Sequence, residues 1–144
     1  MNHTIEDMLD LARHALANAH APYSRFRVGA CLRAASGRLH AGFNVENAAY
    51  PLGQCAEATA IGAMVAAGDR QIVQAVVVTE GPELCAPCGR CRQQLAELAR
   101  PDLPVHLAGP EGVRVTVTLG QLLPLAFGPE TLGPLRPDDG SIAS

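Results

Sequence analysis

The sequence predicts an α/β fold layered around a single sheet. Five short runs with strand character, the clearest being Ala75-Val76-Val77-Val78-Thr79, alternate with three longer segments of helical spacing. The composition agrees. At 144 residues, with 48% hydrophobic and 17% charged, the chain is one domain's length and can bury a core.

Thr4-Ile5-Glu6-Asp7 reads as a helix start, with Thr4 as cap and acid in the first turn. Apolar residues from Met8 then recur at helical spacing to about Ala19, and Pro22-Tyr23-Ser24 breaks the pattern. Val28 to Ala34 and Leu39 to Asn44 are predicted strands joined by a turn at Ser36-Gly37. Cys55 to Ala67 is small, Ala-rich and apolar, and Gly68 closes it as a helix terminator. Ile72 to Thr79 is apolar enough to be central in its sheet. Pro87 is predicted to open a helix running to about Ala99, with Arg100-Pro101 as its stop. Val105 to Ala108 and Val113 to Val117 complete the strands, and Gln121 to Ala126 is a short helical turn. From Pro134 the chain is Pro, Asp, Gly and Ser. The expected division is one domain over 1–136 and a flexible tail over 137–144. Periodicity does not give the strand order.

Composition removes several function classes. Eleven basic residues against fourteen acidic give a net charge of -3, and no basic stripe suited to nucleic acid is present. Every basic residue is Arg. Without Lys there is no Schiff-base catalysis, no pyridoxal phosphate anchor and no P-loop lysine. No apolar run approaches the ~18 residues of a membrane span, and the start, MNHTIEDMLD, is acidic and polar. A cytoplasmic, reducing setting is the expectation. There, five cysteines in a partly clustered pattern point to metal or catalysis ahead of disulfides.

The chemistry concentrates in Cys55-Ala56-Glu57 and Pro87-Cys88-Gly89-Arg90-Cys91. Cys88 and Cys91 are three apart at a predicted helix start, so their sulfurs can converge on one ion. Cys55, at another predicted helix start, is the best third ligand. Helix N-termini carry partial positive charge and favour thiolates. Three protein ligands with one open position make a catalytic zinc arrangement, in which bound water is acidified toward neutrality. Glu57 is two residues from Cys55. Within a helix the two would diverge by roughly 200° at ~3.6 residues per turn, so they share a site only if the ion lies over the helix end.

Five motif blocks, in order, then resemble a known family. They are Pro22-Tyr23-Ser24-Arg25-Phe26-Arg27-Val28-Gly29, Asn44-Val45-Glu46-Asn47-Ala48-Ala49-Tyr50, Cys55-Ala56-Glu57, Pro87 to Gln93, and Leu122 to Gly128. Together they span nearly the whole chain and resemble the small homotetrameric zinc-dependent cytidine deaminases. The resemblance implies a three-layer α/β/α fold with a single mixed sheet of about five strands and helices on both faces. It implies one zinc ion per chain on Cys55, Cys88 and Cys91, and hydrolytic conversion of cytidine, with deoxycytidine also accepted, to the uridine in pyrimidine salvage. Glu57 would be the catalytic proton carrier. Asn44 and Glu46 would hold ribose hydroxyls, and the backbone around Ala56 would meet the pyrimidine carbonyl. Phe26 would stack on the base, with Phe127 supplied by a neighbouring subunit and Ala48 and Tyr50 by another. The implied partners are a small nucleoside and three further copies of the chain, with neither nucleic acid nor membrane.

One position departs from the family. Relatives commonly carry Arg directly after the catalytic Glu, where this chain has Ala58. Three thiolates on one zinc leave net negative charge that this Arg is thought to moderate. Arg90, Arg92 or helix-end amides would have to do so instead, and Arg90 or Arg92, flanking Cys91, is the expected donor. Blasticidin deaminases also read Cys-Ala-Glu-Ala, so a related aminopyrimidine nucleoside such as blasticidin S is the alternative substrate. A non-catalytic zinc interaction domain is the rival class, but structural zinc sites normally close with four protein ligands. Cys85 extends the motif to C-x-x-C-x-x-C, as in iron–sulfur proteins. That bacterial pattern needs a fourth Cys followed by Pro, so Cys85 is expected to be a non-ligand. Cys31 is expected to be a buried hydrophobe. His3, His14, His20, His40 and His106 lack ligand spacing and are expected in surface or core roles.

Overall fold

The computed structural model describes residues 2–134; the tail expected over 137–144 and the domain boundary at 136 lie outside them. One sheet of five strands organises the chain: β1 Val28–Ala34, β2 Leu39–Phe43, β3 Ile72–Thr79, β4 Pro104–Gly109 and β5 Gly112–Thr118, in the order β2-β1-β3-β4-β5. Only β3 and β4 run parallel; the other neighbours are antiparallel, so the sheet is mixed. The helices are α1 Ile5–Ala17, α2 Ala56–Ala66, α3 Gly89–Leu98 and the short α4 Leu119–Leu122.

Strand alternation assigns the faces. Met8, Leu9, Ala12 and Leu16 of α1 pack on Cys31, Val76 and Val78 on one face. Ala30, Leu32 and Ala75 point to the other face, against Ala56, Ala60 and Met64 of α2 and Leu95 of α3. The three-layer arrangement follows from residues one position apart facing opposite ways. Cys31 is fully buried, and burial pushes its thiol up to about 12, which leaves it an inert hydrophobe. His106 is also buried, between Gln74 and Thr116 at 2.8 Å each, while His40 bonds Asp69 at 2.8 Å. Both histidines serve structure.

Local chemistry sets the helix limits. The Thr4 hydroxyl accepts from Asp7 N–H, and the Asp7 carboxylate accepts from Thr4 N–H, a reciprocal cap at the expected start of α1. Gly68, at φ 98°, ends α2. Its N–H donates to Val65 and that of Asp69 donates to Met64. Two predictions need correction. Pro87 stands outside α3, because Cys88 is the cap and the helix begins at Gly89. The last helical turn is Leu119–Leu122 rather than Gln121 to Ala126, because Thr118 and Gln121 cap each other there. Pro124 then prevents continuation. Two 3-10 turns, Tyr50–Leu52 and Pro129–Leu132, had no periodic signal to betray them.

Two glycines bring helices onto the sheet. A Cβ at Gly29 would overlap the Ala12 carbonyl of α1, and one at Gly42 would overlap the Ala56 carbonyl and Ala60 nitrogen of α2. The Thr59 hydroxyl reinforces the second contact, accepting from Phe43 N–H at 2.9 Å and donating to its carbonyl at 2.8 Å. Position 42 therefore sets how closely the start of α2 approaches the sheet end.

Gly29→Ala and Gly42→Ala are each expected to lower the unfolding free energy by about 1–3 kcal/mol, read from urea melts. Only Gly42→Ala should also impair the site at the start of α2. A second prediction concerns acid stability. The Asp69 carboxyl is held down to about 2 by His40 and Arg38. A depressed carboxyl contributes fully above its unfolded value near ~4, and that contribution fades as pH falls through about 2. Asp69→Asn should lower Tm at neutral pH and flatten its fall between these limits.

Candidate active site

Three chain ends meet at one edge of the sheet. The register pairs Val28 with Thr79 and Gly29 with Phe43, so β1 begins where β2 and β3 finish. Segments leaving these ends, with the first turn of α2, enclose an open cleft of about 660 Å³. That is the size range of small-molecule sites.

Two helix starts point into it. Cys55 caps α2 and Cys88 caps α3, both in extended backbone (φ -75°, ψ 158° and φ -65°, ψ 167°), and Cys91 is the third residue of α3. Their sulfurs all lie within 4.8 Å of one another, with Cys55 and Cys88 at 3.8 Å. A tetrahedral zinc with thiolates at about 2.3 Å places sulfur pairs about 3.8 Å apart, so the donor set fits zinc in number, type and spacing. Cys85 lines the cleft but is outside this convergent set, in keeping with its expected non-ligand role.

The thiols differ. Burial pushes Cys55 and Cys91 up, and at Cys91 the neighbouring Glu57 adds to the effect. Burial also raises Cys88, but the Cys91 amide and the thiols of Cys91 and Cys55 outweigh it and hold Cys88 below the ordinary thiol value. Its amide neighbour is the positive end of α3.

Glu57 is the second residue of α2, only 4% exposed, and lines the cleft beside Cys55. Cys55 stands outside the helix as its cap, so the divergence expected within a helix does not separate the pair. Burial raises the Glu57 carboxyl above its usual range, against a smaller opposing influence from Cys91. A buried carboxyl of raised affinity suits a group that takes up and returns protons.

Phe26, Asn44, Glu46, Ala56 and Tyr50 line the same cleft. Asn44 accepts from Val28 N–H at 2.8 Å and donates to the Phe26 carbonyl at 2.7 Å. Glu46 accepts from the Tyr23 and Ser24 amides at 3.0 and 3.1 Å and from the Ser24 hydroxyl. The Ser24 hydroxyl, ahead of the two amides, holds Glu46 below the usual carboxylate range. Both polar residues therefore brace the loop carrying Phe26. Tyr50, which the sequence assigned to a neighbour's site, lines the cleft of its own chain and meets Tyr23 edge-on at 6.0 Å between ring centres. Ala48 is exposed, and Phe127 is 57% exposed with its carbonyl accepting from Gln93 at 3.0 Å. Neither lines this cleft.

The expected charge donor is corrected. Arg92 donates to the Pro87 and Leu122 carbonyls at 2.7 Å each, and Arg90 to the Gly53 carbonyl at 3.4 Å. Both guanidiniums are drawn to backbone oxygens, and the hydrogen bonds they make include none to a thiol. The amides opening α2 and α3, the other source the sequence offered, are the positive groups beside the thiols, with that of Cys91 acting on Cys88. Ser24 and Cys85 were missed as cleft residues: Ser24 lay inside a motif block, whereas Cys85 carried no signal apart from its spacing.

Comparison with known proteins matches this geometry. Residues 2–107 match the sequence family described as "Cytidine and deoxycytidylate deaminase zinc-binding region". A cytidine deaminase of Sporosarcina psychrophila is 41% identical over 130 residues, covering 89% of this chain and 94% of that protein. One from Mycobacterium tuberculosis is 39% identical over 122 residues, covering 84% and 87% respectively. The crystal structure of cytidine deaminase from Burkholderia pseudomallei superposes with a TM-score of 0.82 at 42% identity, covering 87% of this chain and all of that one.

Metal analysis tests the ligand set. One zinc per chain is expected in the wild type and in Cys85→Ser, with strong loss in Cys55→Ser, Cys88→Ser and Cys91→Ser. Equal loss in Cys85→Ser would mean a different third ligand.

Proposed function

The chain belongs to the cytidine and deoxycytidylate deaminase family, and from that premise we propose that it hydrolyses cytidine to uridine and ammonia. Deoxycytidine is accepted as well, and the reaction serves pyrimidine salvage in the cytoplasm. The observation that carries this reading is the buried Glu57 carboxyl lining the same cleft as the converging thiols.

Cys55, Cys88 and Cys91 would hold the zinc, which when bound would supply the Lewis acidity that makes water nucleophilic near neutral pH. Glu57 takes a proton from the attacking water and passes one to ring N3. It then takes the second proton from the hydroxyl now on C4 and delivers it to the amino nitrogen as the C4–N bond breaks. Water's oxygen remains on C4 as the uridine carbonyl, and the nitrogen leaves as ammonia. Because burial raises the carboxyl's affinity for a proton, Glu57 takes one from the attacking water more readily than a solvated glutamate would.

Phe26, at the cleft wall, stacks on the pyrimidine, and the free amides at the start of α2 near Ala56 receive the ring carbonyl. Asn44 and Glu46 take the ribose hydroxyls with the capacity their loop contacts leave open. Glu46 stays ionised and accepts. Four copies of the chain complete the sites, with Phe127 and Ala48 presented across interfaces and Tyr50 serving the cleft of its own chain. The exposed side chains of Tyr50, Leu52, Leu125 and Phe127 support this reading, since large apolar groups on a surface favour association.

Glu57→Gln keeps shape but cannot carry a proton. It should retain zinc and fold while turnover, followed as loss of cytidine absorbance, falls by at least ~10²–10⁴-fold. Near-normal rates would overturn the mechanism. Light scattering of active enzyme should give a tetramer, and a fully active monomer would contradict the shared site.

A further inference from the structure

The loop between β3 and α3 is held from behind by a side chain that lies outside the cleft. Residues 80–88 form neither helix nor strand, so backbone pairing does not fix this segment. Arg114 of β5 supplies the missing partners. Its Nη1 donates to the Glu83 carbonyl and its Nη2 to the Gly81 carbonyl, both at 2.8 Å. The same guanidinium is anchored by Glu111 at 2.6 Å through Nε and 3.2 Å through Nη2. It lies across Gly109, where any Cβ would overlap it.

The held loop faces the cleft in two places. At its start the loop passes beside Phe26, close enough that a Cβ on Gly81 would stand 4.0 Å from Phe26 Cε2, and Glu80 pairs with Arg27. At its end, Cys85, Ala86 and Pro87 form cleft wall and lead directly into Cys88. Arg92 already secures that end through the Pro87 carbonyl at 2.7 Å. The other end depends on Arg114.

We propose that Arg114 is a positioning residue for substrate binding: its fork on Gly81 and Glu83 holds the loop that passes beside Phe26 and ends in the cleft wall, without touching the substrate. A guanidinium suits the task because its donors are fixed in one plane and can meet two carbonyls and a carboxylate at once. An ammonium cannot span all three. The substrate named in the test rests on the cytidine reading, whereas the loop's restraint does not.

Zinc-loaded Arg114→Ala is therefore compared with wild type in two measurements. Hydrogen exchange of the amides of residues 81 and 83–86 should quicken by about tenfold, as expected when a local restraint is lost. KM for cytidine should rise about 3–10-fold, with kcat within about twofold and zinc content unchanged, the pattern of lost binding rather than lost chemistry. Arg114→Lys should stay impaired, and Glu111→Gln should shift KM in the same direction by less. Should Arg114→Ala fail to fold, Glu111→Gln carries both measurements. Unchanged exchange, a fall in kcat at constant KM, or full rescue by Lys would each overturn the proposal. Exchange reads the clamp even without turnover of cytidine, so failure of the functional reading is distinguishable from failure of this one.

Discussion

Three ionisable sulfurs must be brought within bonding distance of one ion, at a place where burial opposes their charge. The rest of the structure answers that requirement. Two helices begin at the same point, each capped by a ligand cysteine, and their free amides supply partial positive charge where the thiolates concentrate. Bringing two helix starts together demands close packing beneath them. Gly42 and the Thr59 hydroxyl provide it at α2, and the parallel connection from β3 through α3 to β4 provides it at α3. The same burial that works against the thiolates raises the affinity of Glu57 for a proton. One desolvated environment thus acts on both the converging thiols and the carboxyl beside them.

The cleft itself is made of irregular segments, which must be fixed without regular backbone pairing. Side chains do this by capturing main-chain groups. Asn44 and Glu46 restrain the segment of Phe26, Arg90 and Arg92 reach the carbonyls of Gly53, Pro87 and Leu122, and Arg114 grips the loop after β3. A chain without Lys has only guanidiniums for such work, and their planar forks suit paired carbonyls. The absence of Lys therefore has a structural counterpart. Arg90, Arg92 and Arg114 are spent on backbone carbonyls.

Much of this was legible in the sequence because it is local. The Thr4 cap, the Gly68 terminator, the apolar run of β3 and the motifs of Cys55, Glu57, Cys88 and Cys91 each depend on neighbours within a few residues. The five strands and the principal helices followed from periodicity, with Pro87 and the last helical turn displaced by cap chemistry. The motif blocks brought together residues of the cleft that no periodicity could have linked.

Tertiary structure alone decided the contacts between distant segments. Cys55 and Cys88 are 33 positions apart, and only the packing of α2 and α3 sets their sulfurs 3.8 Å from each other. Arg92 was expected at a thiolate because it adjoins one in sequence, yet carbonyls 5 and 30 positions away take its donors. Arg114 reaches a loop 31 to 33 positions earlier, with no motif to announce it. Sequence determined which groups the chain possesses and the local conformations that present them. The direction of a long flexible side chain depends on which unpaired oxygens the fold brings within reach, and that choice exists only once the sheet is assembled.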